Sequence, residues 1–368
     1  MIIRPIQPQD LPALLTIARE SGPGFTSLTD DPAFLERKIA RSMDSFGRAV
    51  TQPKDEQYLF VLVDTDTGEI MGTTGIEAYA GHERPLEHFR RGAVAGTTHE
   101  RLTRCNHYTG CSEICSLYLR PAYRGAAFRK AHAGKLLSKV RFLFMAQHPQ
   151  RFASTVIAEM RGVANDRGQP PFWNWLKTQA GNLEFATVTQ LVATGNTRLL
   201  DSLLPENPLF TADMSDEARR TIGQVHQHTR PALKMLLEEG FRHHGYVDLL
   251  DAGPTVEAPL GRIASVQHSR HCRVQVVDDD IPAITRNQPG NRHRPMLLAN
   301  TDTLGFRASV TEAADWLPHR QMLTVPRSLA DRLNLETGAA ARFLPLAQAA
   351  NRAAYDPESP NTEAHYAH

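Results

Sequence analysis

Two stretches carry residues whose types and spacing could do chemistry. The first is Gln224-Val225-His226-Gln227-His228-Thr229-Arg230-Pro231-Ala232. Thr229 is a helix-capping residue, and Ala232, Leu233, Leu236 and Leu237 follow at helical spacing up to Gly240. That places His226 just ahead of a helix N-terminus, where the peptide dipole lowers an imidazole pKa. A neutral histidine there can relay a proton near neutral pH. The plainer reading is a helix-flanking histidine bonded to backbone. His228, His243 and His244 read as surface residues. The second stretch runs from Arg124-Gly125 through Arg129 and Lys130 to Gly134-Lys135. Gly125, Gly134 and the alanines between them offer little bulk, and a helix start beyond them offers free N–H groups. The arginines and lysines add charge. That combination would hold a diphosphate; the alternative is an ordinary solvated basic turn.

The elements around these stretches must position them. Ile114-Cys115-Ser116-Leu117-Tyr118-Leu119 is an apolar run of strand length, stopped by Pro121. Leu136, Leu137, Val140, Leu143 and Phe144 then repeat as the buried face of a helix starting after Gly134. The order is buried strand, small basic loop, amphipathic helix. Neither G-x-x-x-x-G-K-[ST] nor G-x-G-x-x-G occurs here. Upstream, Ile2-Ile3 starts a strand, Asp10 can cap a helix over Leu11, Leu14, Leu15 and Ala18, and Gly22-Pro23-Gly24 breaks it. Phe34 to Ala49 is a second amphipathic segment, and Tyr58–Val63 and Ile70–Ala78 are strands joined by Asp64-Thr65-Asp66-Thr67-Gly68. Residues 80–111 are polar with no clear period. Downstream, Thr155 to Met160 is a strand reached by a crossover long enough for parallel pairing. Phe172, Trp173 and Trp175 read as core aromatics on a short helix, and Leu199–Leu204 and Ser215–Ile222 as helices. Phe241 to Leu250 is a strand. From Pro254 short apolar runs recur at 274–277, 295–299, 321–325 and 340–346, with one short helix at 326–333, as in a small β-rich domain.

Composition limits the function classes. The chain has 368 residues, 41% hydrophobic and 22% charged, as in a globular protein with room for two or three domains. Lys plus Arg is 41 against 40 Asp plus Glu, a net charge of +1, which argues against a general nucleic-acid binder. No apolar run reaches membrane-spanning length, so no membrane partner is expected. The N-terminus has no signal-peptide layout, and four Cys in so long a chain suggest free thiols; the expected location is the cytoplasm. Cys105, His107, Cys111 and Cys115 match no common zinc spacing, and no metal is expected.

The strand, Pro, Arg-Gly, small residues and helix resemble the diphosphate loop of GNAT acyltransferases, which hold coenzyme A there. The strand–helix–helix–hairpin start and the terminal helix, Glu238-Glu239-Gly240-Phe241 and strand resemble that superfamily too. The implied fold is α/β (α+β), a GNAT-like mixed sheet flanked by helices. Residues 1–250 would form the acyl-CoA-binding domain with an insertion at 163–228, residues 251–346 the small β-rich domain, and 347–368 a disordered tail. More closely, the chain resembles the arginine N-succinyltransferase family over most of residues 1–345. The segments that carry this are Ser112-Glu113-Ile114-Cys115-Ser116-Leu117, Leu136-Leu137-Ser138 with Arg141-Phe142-Leu143-Phe144, Ala158-Glu159-Met160-Arg161-Gly162-Val163, Pro171-Phe172-Trp173, Ile222-Gly223-Gln224-Val225-His226 and Gly253-Pro254-Thr255-Val256.

The resemblance implies transfer of succinyl from succinyl-CoA, as co-substrate, to the α-amine of arginine. It implies that Leu117 contacts succinyl-CoA and that His226 is the proton donor. No permanently bound cofactor is expected; the partners are small-molecule substrates, with a homo-oligomer or a hetero-oligomer with a related subunit open. The loop after Arg124 is longer than the family's compact turn, and the 90–110 stretch is shorter. Another acceptor such as ornithine, or a non-catalytic acyl-CoA-binding subunit, are the alternatives. An arginine substrate would need carboxylates for its guanidinium; Glu77, Glu113, Glu159 and Asp248 lie on or beside strands. The succinyl carboxylate would need a cation, with Arg90, Arg91 and Arg161 available.

Overall fold

The computed structural model describes residues 1–22, 24–179, 181–193, 204–279 and 295–346. Pro23, most of the helix expected over Leu199–Leu204 and the polar tail lie outside the described residues. The strands are β1 (Ile2–Pro5), β2 (Gln57–Val63), β3 (Ile70–Glu77), β4 (His88–Ala93), β5 (Glu100–Cys105), β6 (Ser112–Leu119), β7 (Thr155–Glu159), β8 (Leu209–Phe210), β9 (Arg242–Val247) and β10 (Pro254–Pro259). Six more follow: β11 (Arg270–Val277), β12 (Met296–Asn300), β13 (Ala308–Thr311), β14 (Asp315–Leu317), β15 (Met322–Pro326) and β16 (Ala340–Pro345). They form one sheet in the order β14-β15-β11-β16-β12-β13-β1-β2-β3-β6-β7-β10-β9-β4-β5-β8. Pairing is mostly antiparallel; β6 with β7 and β11 with β15 are parallel. The fold is thus a mixed α/β structure built on a large sheet. The C-terminal strands join it through Ile3↔Ala308, and Ser309 Oγ donates to the Met1 carbonyl at 2.9 Å.

Alternation along β2 decides which helices lie on which face. Leu59, Val61 and Val63 pack with Leu14 and Ile17 of α1 (Leu11–Ser21) and Leu35 and Ile39 of α2 (Pro32–Gly47). Tyr58, Phe60 and Leu62 point the other way. They meet Leu136, Leu137, Val140 and Phe144 beyond a short helix α3 (Ala126–Lys130), on the long helix α4 (Ala133–Gln147). A separate core gathers Phe172 and Trp173 of α5 (Pro171–Leu176), Phe185 and Val188 of α6 (Phe185–Ala193) and Ala218 of α7 (Asp216–Thr221) against Phe89, Leu102 and Val247. Leu236 of α8 (Arg230–Glu238) returns to the main core. No helix among the described residues is long and apolar enough to cross a membrane.

Three local expectations are corrected. Residues 80–111 are not irregular: β4 and β5 pair from His88↔Cys105 to Ala93↔Glu100, and Phe89↔Val247 ties the hairpin to β9. Only Phe89 and Leu102 are buried apolar anchors on these strands, so the pattern did not read as strand. Asp10 does not cap α1 with its side chain; its carboxylate takes Arg4 Nη1 and Nη2 and the Gln7 N–H. Thr229 likewise makes no side-chain cap, because a 3₁₀ turn over Gln227–Thr229 leads into α8 instead.

Close backbone approach between β3 and β6 requires glycine at Gly72. A Cβ there would stand 2.3 Å from the Tyr118 carbonyl oxygen. Gly72→Ala should therefore lower stability by about 1–3 kcal/mol, the usual cost of overpacking a well-packed position. Thermal denaturation checks this; an unshifted midpoint would mean that the strands move apart at no cost.

Candidate active site

The site begins where β6 leaves β7. These parallel strands pair only at Ser112↔Val156 and Glu113↔Ile157, although β6 runs on to Leu119 and β7 to Glu159. Beyond Glu113 the two strands part. On its other edge β6 pairs with β3, but the register slips between Thr73 and Gly75. Ser116 sits at the slip with φ 52°, and its carbonyl accepts a 2.9 Å bond from Thr73 Oγ1. A bulge of this kind turns backbone groups out of the ladder. Leu117 follows the bulge, packed against the main core. Free backbone N–H groups beside a gap between parallel strands are suited to polarising a carbonyl.

The stretch after β6 differs from the loop expected. Gly125 is the N-cap of α3, and His132 (φ 61°) separates α3 from α4. Gly134 lies in the first turn of α4 rather than before it. Alanine is the strongest helix former, and Ala126-Ala127 here makes helix rather than open loop. Arg124 packs over the Tyr118 ring, 5.1 Å from its centroid, and its Nε donates to the Leu119 carbonyl at 2.7 Å. Its guanidinium is therefore held at the end of β6, beside the start of α3.

His226 is brought to the same end of the sheet by backbone pairing. Gly162 and Val225 form an isolated antiparallel bridge, and the His226 N–H donates to the Arg161 carbonyl at 2.9 Å. The ring is buried, and its Nδ1 accepts from the His228 N–H at 3.2 Å. Burial lowers its pKa first, with the Arg161 and His228 charges adding to it. The direction agrees with the sequence reading, but the causes are burial and neighbouring cations. A neutral ring with Nδ1 accepting carries its proton on Nε2. His228 is exposed, as expected.

The four carboxylates singled out in the sequence converge on the α1/α2 face. Glu77 stands opposite Glu113 in the β3–β6 register, and Glu113↔Ile157 puts Glu159 one step along the same face of β7. Burial, then the Glu159 and Glu77 charges, push Glu113 well above the usual carboxylate range, with Lys38 acting against them. Burial and then Glu159 raise Asp248 too. Lys38 lies 3.6 Å from Glu77, and His88 Nε2 lies 2.7 Å from Glu159 Oε1. Burial works to lower the His88 pKa, but Glu159 outweighs it and the net shift is upward. Among the arginines, Arg91 is held by Glu100 in two bonds of 3.0 Å, and Arg90 is exposed. Arg161 is partly buried with no ion-pair partner within 4 Å among the described residues, and burial lowers its pKa. It reaches toward the α1–α2 connection: a Cβ on Gly24 would stand 3.1 Å from Arg161 Nε.

Sequence reasoning missed His88 and Thr255. Thr255 pairs directly with Glu159, and its fully buried Oγ1 has no hydrogen-bond partner. Neither residue carries a local signal; only strand register brings them here. His107 stacks on Tyr246 at 4.7 Å and 5°, and no group of three His, Cys, Asp or Glu that could hold a metal occurs among the described residues.

Comparison with known proteins points to one family. The family model described as arginine N-succinyltransferase beta subunit matches residues 1–265, and that for its C-terminal domain matches 273–345. The arginine N-succinyltransferase of Shigella sonnei is 37% identical over 325 residues, 85% of this chain and 92% of that protein. The arginine N-succinyltransferase subunit beta of Pseudomonas aeruginosa is 35% identical over 354 residues, 94% of this chain and 98% of that protein. A solved structure titled arginine/ornithine succinyltransferase subunit AI, also from Pseudomonas aeruginosa, aligns with a TM-score of 0.79 and 30% identity, covering 94% of this chain and 99% of that one. Two family models in tandem, and relatives matched nearly end to end, lead to one conclusion: the chain belongs to the arginine N-succinyltransferase beta subunit family.

Proposed function

We propose that this chain transfers succinyl from succinyl-CoA to the α-amine of L-arginine, releasing CoA and N2-succinyl-L-arginine, as the opening of arginine breakdown. The observation that carries this is the family membership over 1–345 together with a parted parallel strand pair flanked by His226. Thioester aminolysis forms a C–N bond and breaks a C–S bond. The amine loses one proton and the departing thiolate takes one up. The carbonyl oxygen gains charge in between, and backbone N–H groups at the β6 bulge near Leu117 are the donors that would hold it. His226 would give its Nε2 proton to the departing thiolate and regain the amine's proton at the same nitrogen, Nδ1 being held by the His228 N–H and Nε2 free of any hydrogen bond among the described residues. Arg161, a cation beside it with no ion-pair partner within 4 Å among the described residues, would receive a carboxylate, which both substrates possess. No metal enters the scheme, and succinyl-CoA is co-substrate rather than resident cofactor.

On this reading residues 1–250 act as a GNAT-like acyl-CoA-binding domain, with 163–228 inserted and 251–346 as its β-rich companion. The diphosphate would lie across Arg124, Gly125 and the start of α4 near Gly134. Arg124→Ala should then raise the dissociation constants of CoA and succinyl-CoA alike, by about tenfold or more for one lost charge-assisted bond. Calorimetry checks this, and an unchanged constant would put the diphosphate elsewhere. The direct test of function is thiol release from succinyl-CoA. Release that does not depend on arginine would refute the proposal. A second reading takes ornithine as acceptor, because the aligned Pseudomonas aeruginosa structure is titled for both amino acids. Running ornithine, lysine and acetyl-CoA in the same assay separates the two. Both Pseudomonas aeruginosa relatives are named as subunits, which supports an oligomeric assembly here, with a like or a related chain.

A further inference from the structure

We infer that Glu113 and Glu159, backed by the Thr255 hydroxyl, form the seat for the guanidinium of the amino-acid substrate and select arginine over shorter or neutral analogues. This rests on the acyl-transfer reading above and deepens it.

The donors and acceptors in this cluster do not balance. Lys38 is taken by Glu77, to which Gln57 Nε2 also donates at 3.1 Å. Oδ1 of Asp248 is taken by the Leu250 and Asp251 N–H groups at 2.7 and 2.8 Å. His88 faces one oxygen of Glu159. What remains is Glu113, whose side chain has no hydrogen-bond or ion-pair partner among the described residues, the second oxygens of Glu159, Glu77 and Asp248, and Thr255 Oγ1; of these, Glu113, Glu159 and Thr255 lie together where β6, β7 and β10 pair. Thr255 is 0% exposed, and its register opposite Glu159 aims it into the cluster. His88 is also 0% exposed, and its Nδ1 has no partner. A wholly buried hydroxyl left unpaired is costly, and so is a carboxylate without a donor. Oxygens in excess of donors, on carboxylates crowded enough to raise one another's pKa, fit a cation rich in N–H groups that relieves the crowding. A guanidinium offers five donors in a plane, and an ammonium three.

The length also fits. Arg161 follows Glu159 by two residues, about 6.5–7 Å along an extended chain. Its guanidinium lies toward Gly24, on the α1/α2 side. An extended arginine spans a similar length from α-carbon to guanidinium. It would lie with its carboxylate toward Arg161, its amine near His226 and the strand gap, and its far end at Glu113, the last residue at which β6 and β7 pair.

The test compares arginine with citrulline, which keeps the length but carries a neutral urea, in wild type, Glu113→Gln and Glu159→Gln. Each variant should raise the arginine KM by roughly 10–10²-fold, the scale of a lost charged hydrogen bond. The ratio of kcat/KM for arginine over citrulline should fall by a similar factor, while the succinyl-CoA KM stays within about twofold. A purely structural role would lower both amino acids together and leave that ratio unmoved; an unmoved ratio in both variants overturns the seat. Should a Gln variant fail to fold, Glu113→Asp carries the test, because it keeps the charge and withdraws it by one methylene. An unchanged arginine KM there overturns the seat. If the wild type shows no arginine-dependent turnover, the acyl-transfer reading fails separately. Calorimetry of arginine and citrulline on wild type and Glu113→Gln then decides the seat: a preference for arginine lost in the variant supports it, and no preference overturns it.

Discussion

His226→Ala should lower turnover by about 10²–10⁴, the usual contribution of a positioned proton carrier. Binding of succinyl-CoA should change little, because the β6 bulge and the stretch after it lie on other elements. The pH profile makes the test specific. Burial, Arg161 and His228 all lower the His226 pKa, so the ring is neutral at neutral pH. As pH falls through that lowered value the ring gains a proton on Nδ1, which can then no longer accept from the His228 N–H. The wild-type rate should therefore fall on an acid limb lying below the ordinary imidazole range, and His226→Ala should lack that limb. His228→Ala keeps the backbone N–H that bonds Nδ1, so its rate should stay close to wild type. If a folded His226→Ala retains near-full activity, another group moves the proton.

The chain shows which physical signals survive in sequence and which do not. The central strand was legible as an apolar run of strand length and α4 as apolar residues at helical spacing, and Ile114 and Val140 meet in one core. Position and pKa direction of His226 were legible from the helix beyond it. The cause of that shift was not, because Arg161 reaches it only through the bridge between Gly162 and Val225. The four carboxylates could be named singly, yet nothing local says that they meet. Their meeting depends on the pairing of Glu77 with Glu113 across a bulge, and on a parallel register after a long crossover. The β4–β5 hairpin was hidden for a related reason. It buries only one apolar residue per strand, together with His88, so neither alternation nor helical period stands out. The stretch 125–134 carried a signal that was misweighed: small residues were read as open loop, although alanine favours helix.

Arg161→Ala should have the other large effect, and it should appear in two places at once. Arg161 is partly buried, carries no ion-pair partner within 4 Å among the described residues, and shares backbone contact with His226. The Asp251 charge acts on Arg161 from beyond ion-pair distance, but that carboxylate is taken by the Gly162 and Gly253 N–H groups, so a partly buried guanidinium gains from a carboxylate that a ligand supplies. Both substrates of the proposed reaction carry one. Removing the guanidinium should therefore raise the KM of one substrate by roughly 10–10²-fold, and comparing arginine with succinyl-CoA identifies which carboxylate it holds. The second effect is electrostatic. The Arg161 charge disfavours protonation of His226, so its loss raises the His226 pKa. Activity depends on the neutral ring, and the acid limb of kcat/KM should move to higher pH. Arg161→Lys keeps a positive charge and should leave the limb nearly in place while still weakening the two-pronged carboxylate contact. A variant that raises KM without moving the limb would place Arg161 in binding alone. A limb that moves without any change in KM would leave the carboxylate to another residue, and a variant that does neither would remove Arg161 from the site.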